Sequence, residues 1–386
     1  ELLLGFHEGL RAVCVFGGTN IQRDQKILKA GPCSVLVATP GRLQDHLSNT
    51  PGFENRLSSV RVLILDEADQ LLDMGFRKTI LNILKFLPPA DTRQALLFSA
   101  TFPAQVSEIA GLALSSGYQI INTVKPEDES TPEQIQQFYA LVSTEEITKR
   151  LWQALQTAVG RDKENFKIVV FFTTARVVGY YAEVFRQTVL SPDLFELHSR
   201  KTQAYRTRES ERFRAASRGI LFSSDVSARG LDYPGITMVI QVGAPSSTDQ
   251  YIHRLGRTGR AGKSGVGLLL LHNFEGYFHR ALRDMPLQKA DWTQVVSKPL
   301  AQKTWSRAVS MKVKARAYSA WLGYYNGKLK VMKMSKVEMV NEANRFAASI
   351  DALEPDGRPP PITKMMVGKM GLKGVPGLNL VAELPA

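Results

Sequence analysis

Short apolar runs rich in Val, Ile, Leu and Phe recur along the 386 residues: Ala12 to Phe16, Ser34 to Ala38, Val60 to Leu65, Gln94 to Phe98, Ile168 to Phe172, Gly219 to Phe222, Met238 to Gln241 and Val266 to Leu271. Stretches of helical spacing lie between most of them. A strand wetted on one side alternates apolar and polar residues, whereas these runs are continuous, which predicts strands covered on both faces. The expected architecture is therefore α/β with parallel sheets. A chain of this length exceeds what one hydrophobic core serves, so two tandem units are expected.

Local signals place several helices. Thr39 followed by Pro40 reads as an N-cap and first-turn proline, opening a helix through Leu47. Ser143 with Glu146 has the form of a capping box ahead of a helix through Ala158. Pro103 should open another, with Val106, Ile109 and Ala113 on one stripe. The polar, proline-flanked stretch Lys125 to Pro132 reads as a linker, after which the doubly wound pattern restarts. The predicted boundaries are a first domain over 1–124, a linker over 125–133 and a second domain over 134–290. A helical extension follows over 291–361 and a basic Gly/Pro-containing tail over 362–386.

In the extension, Trp305, Val309, Val313, Ala317 and Trp321 recur every four residues, which predicts one helix with its tryptophans in the core. Met339, Ala343, Phe346 and Ile350 predict a second, opened by a Ser335-to-Glu338 capping box and closed before Pro359-Pro360-Pro361. Ile362 to Leu380, rich in Gly, Lys and Met, should be mostly loop.

With 44% apolar and 22% charged residues, the composition is that of a soluble globular protein. Two cysteines, Cys14 and Cys33, are too few for a disulfide framework and suit a reducing compartment. No apolar run is long enough for a membrane span, and no signal pattern opens the chain. The net charge of +13 favours a polyanionic partner. Residues 291–386 carry 15 Lys/Arg against 7 Asp/Glu, so the tail is the most basic part.

Two blocks carry chemistry. Asp66-Glu67-Ala68-Asp69 follows the run Val60 to Leu65, and His253-Arg254-Leu255-Gly256-Arg257-Thr258-Gly259-Arg260 lies in the second unit. Hydrolysis of a nucleoside triphosphate needs a metal, a positioned water and positive charge near the γ-phosphate. At a strand end, Asp66 can hold Mg²⁺ directly or through water, Glu67 can serve as base or water positioner, and Asp69 is left for polar contacts across a cleft. The competing reading is an acidic helix N-cap. Arg257 and Arg260, three apart, can converge on one phosphate as arginine fingers. Such a finger contributes roughly 10³ to 10⁵ in rate, on the order of 4 to 7 kcal/mol.

These blocks resemble the motifs of the DEAD-box RNA helicases. Asp66 to Asp69 matches the name motif, Ser99-Ala100-Thr101 the family's Ser-Ala-Thr, and His253 to Arg260 its last motif. Gly17-Gly18, Val37 to Arg42, His198 with Gln203 and Arg206, and Ser224 to Asp232 complete an ordered series over about residues 10 to 275. The resemblance implies two RecA-like domains that use ATP and Mg²⁺ and bind RNA. By it, Ser99 and Thr101 couple nucleotide state to closure through Asp69 and His253. Gly230 belongs to the nucleotide set and Asp232 contacts the ribose, while Gly17, Gly18, Thr39, Pro40, Gly41, Arg42, Gln203, Arg206 and Ser224 hold the RNA backbone. Such contacts read no sequence.

The match departs from the family in three places. Ser224 stands where the family usually has Thr, which keeps the hydroxyl. The phosphate-binding loop G-x-x-x-x-G-K-[ST] is absent, as are the adenine-reading glutamine and Pro-Thr-Arg-Glu segments; Gly262-Lys263-Ser264 is no substitute, having Arg257 where the first glycine belongs. We expect truncation rather than natural loss, because removing an internal strand strands backbone groups. These 386 residues should then bind ATP poorly.

In the extension, Lys312, Lys314 and Arg316, followed by Tyr324, Tyr325, Lys328, Lys330, Lys333 and Lys336, interleave basic and aromatic side chains in a pattern that suits RNA. Lys312, Lys314 and Arg316 are the candidate contacts. Residues 305–380 are similar to the helical extension of fungal mitochondrial DEAD-box proteins that assist intron splicing. That resemblance implies a monomeric RNA chaperone of the mitochondrial matrix, with a nuclear or nucleolar location as the alternative. The competing reading is an ATP-independent RNA-binding or assembly module.

Overall fold

Every predicted apolar run becomes a strand or the greater part of one. The computed structural model describes residues 9–123, 134–188, 190, 193–225, 233–260, 262–292 and 306–383. The chain divides into two compact units, one ending at Thr123 and one starting at Val124. The expected linker, as well as Gly230, Asp232 and Trp305, lies outside the described residues.

In the first unit, β1 (Ala12–Val15) pairs in parallel with β2 (Val35–Ala38), in the register Val15 to Ala38. Likewise β3 (Val62–Leu65) pairs in parallel with β4 (Gln94–Leu97). The expectation of strands covered on both faces fails here. β2, β3 and β4 alternate exposed and half-buried positions, with Val37 and Ile64 each 56% exposed. The buried clusters, Val13, Val15, Leu28, Phe53 and Leu57 in one and Ile80, Ile109 and Ala113 in the other, lie on one side of each pair.

The second unit meets the expectation. Among the described residues its main sheet has seven strands in the order β11 (Leu287–Lys289), β5 (Ile135–Val142), β10 (Gly265–His272), β9 (Met238–Val242), β6 (Lys167–Phe172), β8 (Gly219–Ser223) and β7 (Leu194–Leu197), every adjacent pair parallel. β6 (Lys167–Phe172) and β8 (Gly219–Ser223) are buried throughout, and β9 (Met238–Val242) and β10 (Gly265–His272) nearly so. Three strands escaped the sequence reading. β5 (Ile135–Val142) carries paired glutamines, β7 (Leu194–Leu197) is short and contains Glu196, and β11 (Leu287–Lys289) has three residues.

The helix starts need correction. Pro40–Asn49 forms as expected, but Thr39 makes no side-chain capping bond. Ser143 begins a turn instead of a cap, and the helix runs Ile147–Arg161. Ala104–Ala113 buries Val106, Ile109 and Ala113 as predicted. The helix that carries Val313, Ala317 and Trp321 starts at Met311, capped by Ser310, and runs to Asn326. Val309 therefore packs from outside it. The Ser335–Glu338 capping box forms in both directions and opens Lys336–Ser349. Within the tail, a short helix Lys364–Lys369 and a two-residue parallel pairing replace the expected loop.

The extension is built into the second unit. Trp321, Tyr325, Met339, Ala343 and Phe346 share one hydrophobic core with β6, β8 and the helix Ala175–Phe185. Trp321 stacks on Phe346 with ring centres 5.5 Å apart. Each fully buried aromatic of this kind stabilises by roughly 1.5–3 kcal/mol. Among the described residues no helix is long and apolar enough to cross a membrane.

Candidate functional site

β3 ends at Leu65, and the chain must turn at once into the helix Ala68–Asp73. Glu67 makes that turn with φ 49°, a left-handed conformation that costs a non-glycine residue free energy and concentrates at functional positions. Its N–H donates to Asp66 Oδ1 at 3.0 Å, and the Ala68 N–H ties the turn to Phe98 O of the neighbouring strand. Asp66 is exposed and Glu67 half-buried. Mg²⁺ keeps most of its waters and takes one or two carboxylates plus substrate phosphates, so one exposed carboxylate at a strand end suits it. Among the described residues no cluster of three or more metal-binding side chains offers an all-protein cage.

Asp69 meets Ser99 and Thr101, the contacts the resemblance implies. Its Oδ2 accepts from both the Thr101 N–H and the Thr101 hydroxyl at 3.0 Å. Its own N–H donates to Ser99 Oγ at 3.2 Å, and that hydroxyl donates to Thr101 O. The carboxylate is buried and clamps the Ser-Ala-Thr turn at the end of β4. The two motifs, 30 residues apart, meet because β3 and β4 are neighbours.

The parallel pairing of β1 and β2 brings two more predicted segments together at one edge. Gly18 has φ +86°, a conformation that favours glycine, while a Cβ at Gly17 would meet nothing. Arg42 donates from Nε to Phe16 O at 3.1 Å and from Nη2 to Thr19 O at 2.5 Å, and pairs with Asp24 at 3.5 Å. At 6% exposed, it braces the glycine turn; the expectation of an open phosphate ligand is corrected. Thr39 and Gly41 are exposed at a helix N-terminus with Pro40 in its first turn. Backbone amides and a hydroxyl not spent on capping are groups suited to anions.

In the second unit, β7 and β8 are adjacent and parallel, so the segments after them share an edge. Thr202 caps the helix Gln203–Ala215, which starts with the half-buried Gln203 and Arg206. Glu196, buried on β7, holds the preceding turn through Arg186, His198 and Lys201 at 2.6, 2.9 and 3.0 Å. Burial alone would raise its carboxyl, but hydrogen bonds from His198 and Arg186 and the charges of Arg186 and Lys201 pull it down to about 2. Two buried polar atoms, Ser224 Oγ and Arg206 Nε, have no hydrogen-bond partner among the described residues. Such orphans call for a functional account.

The arginine segment begins on the helix Thr248–Leu255, capped by Ser247. Arg254 is 3% exposed and grips Asp225 with two hydrogen bonds, also reaching Gln241 at 3.4 Å. Arg260 donates from Nε to Gly256 O, and Gly259 turns with φ +69°, where a Cβ would strike Ile135. Arg257 and Arg260 thus sit on a rigid turn anchored one residue past the helix.

The extension divides its cations. Lys312 and Arg316 are exposed, but Lys314 is 3% exposed, donates to Asp351 O at 2.8 Å and pairs with its carboxylate at 3.5 Å. Its assignment to RNA is corrected: it closes the core. Tyr325 and Lys328 also turn inward. Arg176, which the sequence reading passed over along with Arg200, lies within electrostatic reach of Arg200 and Arg316. Burial lowers the Arg176 pKa, and the charges of Arg200 and Arg316 lower it further. No spacing rule links three arginines so far apart in the chain.

The family model for the DEAD/DEAH box helicases matches residues 3–109, and that for the helicase conserved C-terminal domain matches residues 148–262. DEAD-box ATP-dependent RNA helicase 26 of Oryza sativa subsp. japonica is 46% identical over 380 residues, covering 98% of this chain and 69% of its own length. The chain belongs to the DEAD-box ATP-dependent RNA helicases. Helicase 25 of the same plant is 46% identical and helicase 31 of Arabidopsis thaliana 44%; the chain spans 62% and 51% of their lengths. Among solved structures, DEAD-box helicase Mss116 bound to ssRNA and UDP-BeF matches 97% of the chain and 76% of its own, with TM-score 0.79 and 25% identity. S. cerevisiae Dbp5 bound to RNA and ADP BeF3 shares the fold at 21% identity over 78% of this chain and 82% of its own, with TM-score 0.56. The two units are the family's RecA-like domains, and the likeness to Mss116 carries the resemblance to the fungal mitochondrial subgroup.

Proposed function

We propose that this chain is the motor of an RNA-dependent ATPase that locally separates short RNA duplexes, working as an RNA chaperone. The observation that carries the reading is the Arg254–Asp225 pair. It joins the arginine segment to Ser224, whose buried hydroxyl lacks a partner among the described residues, so one element serves phosphate chemistry and RNA backbone binding. The ssRNA and nucleotide analogue in the Mss116 structure support it.

In this reading Asp66 holds Mg²⁺, which when bound neutralises phosphate charge. Glu67, fixed by its turn, orients the attacking water and accepts its proton. Arg257 and Arg260 stabilise charge on the transferring phosphoryl group, and Asp232 and Gly230 serve the nucleotide. Thr39, Gly41, the glycine turn, Gln203, Arg206 and Ser224 bind the RNA backbone, with Lys312, Arg316 and the neighbouring Arg176 and Arg200 adding charge. Turnover needs both units, and a strand bent across them loses its partner. Without a G-x-x-x-x-G-K-[ST] segment, these residues bind ATP weakly by themselves. A monomer acting on structured RNA in the mitochondrial matrix fits the extension, the nucleus or nucleolus being the alternative.

Steady-state ATP turnover by the full-length protein, with and without RNA, tests the proposal. RNA-stimulated turnover that Glu67→Gln removes supports it. RNA binding without turnover supports the ATP-independent module, and equal stimulation by DNA supports a DNA translocase.

A further inference from the structure

Gly243 to Ser247 connect β9 to the arginine helix, and four backbone polar groups of this connection are held by side chains. The Gly243 N–H returns to Leu270 O, and the Ala244 N–H donates to Glu275 Oε1 at 2.7 Å. The Ala244 carbonyl accepts from the Tyr324 hydroxyl at 2.5 Å and from Lys328 Nζ at 3.3 Å, and the Pro245 carbonyl from Lys328 Nζ at 3.0 Å. Ala244 and Pro245 are buried, so without these donors their carbonyls would be stranded away from water. Ser246 and Ser247 then bond to Gln250 and start the helix.

All the donors to those two carbonyls belong to the extension. Lys328 also lies over the Tyr324 ring, 4.5 Å from its centre. Tyr325 donates to Glu275 Oε1 at 2.8 Å, and its hydroxyl would stand 3.0 Å from any Cβ at Gly243, whose φ of +82° already favours glycine. The path of the connection is thus set by three side chains from 80 residues downstream, and the helix it launches carries His253 and Arg254 toward Arg257 and Arg260.

We propose that Tyr324 and Lys328 are positioning residues for ATP turnover: the extension latches the Ala244–Pro245 carbonyls and so fixes the arginine segment. This deepens the proposed function and rests on its assignment of Arg257 and Arg260. Burial lowers Lys328 to about 8, in keeping with a cation taken out of water for this contact. A helix that merely padded the core would need no donors aimed at loop carbonyls. Tyr324 and Lys328 then affect catalysis through the arginine segment.

The test uses the full-length protein carrying Tyr324→Phe and Lys328→Met together, changes that keep the ring and the aliphatic stem. The expected result is a fall in kcat of about 10- to 100-fold, with RNA affinity and the KM for ATP changed less than about 3-fold. Lys328→Arg alone should keep most of the turnover. Hydrogen exchange at residues 243–256 should quicken in the double variant. If kcat per folded molecule is unchanged, or if RNA affinity falls in proportion, the latch is refuted. Should the parent show no RNA-stimulated turnover, the motor reading fails; unaltered exchange at 243–256 would separately overturn the latch.

Discussion

Arg254 holds Asp225 with Nε to Oδ1 at 2.6 Å and Nη2 to Oδ2 at 2.7 Å. This two-pronged geometry is specific to a guanidinium. Arg254 also lies 5.2 Å from the Phe171 ring centre, where an ammonium would stack less well. Arg254→Lys keeps the charge but loses the fork, and should lower ATP turnover about ten-fold or more. Arg254→Ala, which leaves the carboxylate without its partner, should cost about 3–5 kcal/mol of unfolding free energy in the second unit. Turnover assays and denaturant unfolding measure the two effects; equal activity of the Lys variant would show that the fork is dispensable.

The cations of the extension should separate cleanly. Lys312→Ala with Arg316→Ala should weaken RNA binding and flatten its salt dependence by up to about two counterions, with little change in Tm. Lys314→Ala should lower Tm and leave the salt slope alone, because its ammonium already serves Asp351. RNA titrations at several ionic strengths check both. Deleting the extension would not substitute for these variants, since it removes part of the second unit's core.

Glu196 should make the second unit acid-sensitive. Its folded pKa of about 2 lies below the ordinary value of 4.5, so the stabilisation is present above pH 4.5 and is lost as pH falls toward 2. The loss is on the order of 3 kcal/mol. Glu196→Gln should flatten the unfolding free energy over that window and loosen the turn leading to Gln203. Denaturant titrations between pH 5 and 2 would contradict the assignment if parent and variant ran parallel.

Thr101→Val removes one of the two donors to Asp69 Oδ2 while keeping the shape. A charge-assisted bond of this kind contributes about 1.5–3 kcal/mol. The first unit should lose stability of that order, and RNA-stimulated turnover should fall further than stability alone accounts for. Turnover unchanged in the folded variant would make the clamp purely structural.

The sequence by itself determined the α/β class, the tandem arrangement and the positions of eight strands, because continuous apolar runs between turn signals leave few other folds. It also determined which residue types carry the chemistry, since Asp66, Glu67 and the arginine segment sit at strand and helix ends that local patterning marks. Only the tertiary structure decided which of those side chains are spent inside the fold. Arg42 braces a glycine turn and Lys314 closes a core, although each looks like an open ligand in the chain. Spacing reports the face of a helix, not what the facing element offers. The parallel neighbours that pair β1 with β2 and β7 with β8, and the helix end that delivers Tyr324 and, just past it, Lys328 to Ala244, arise from contacts remote in sequence, where burial and hydrogen bonding choose the partner.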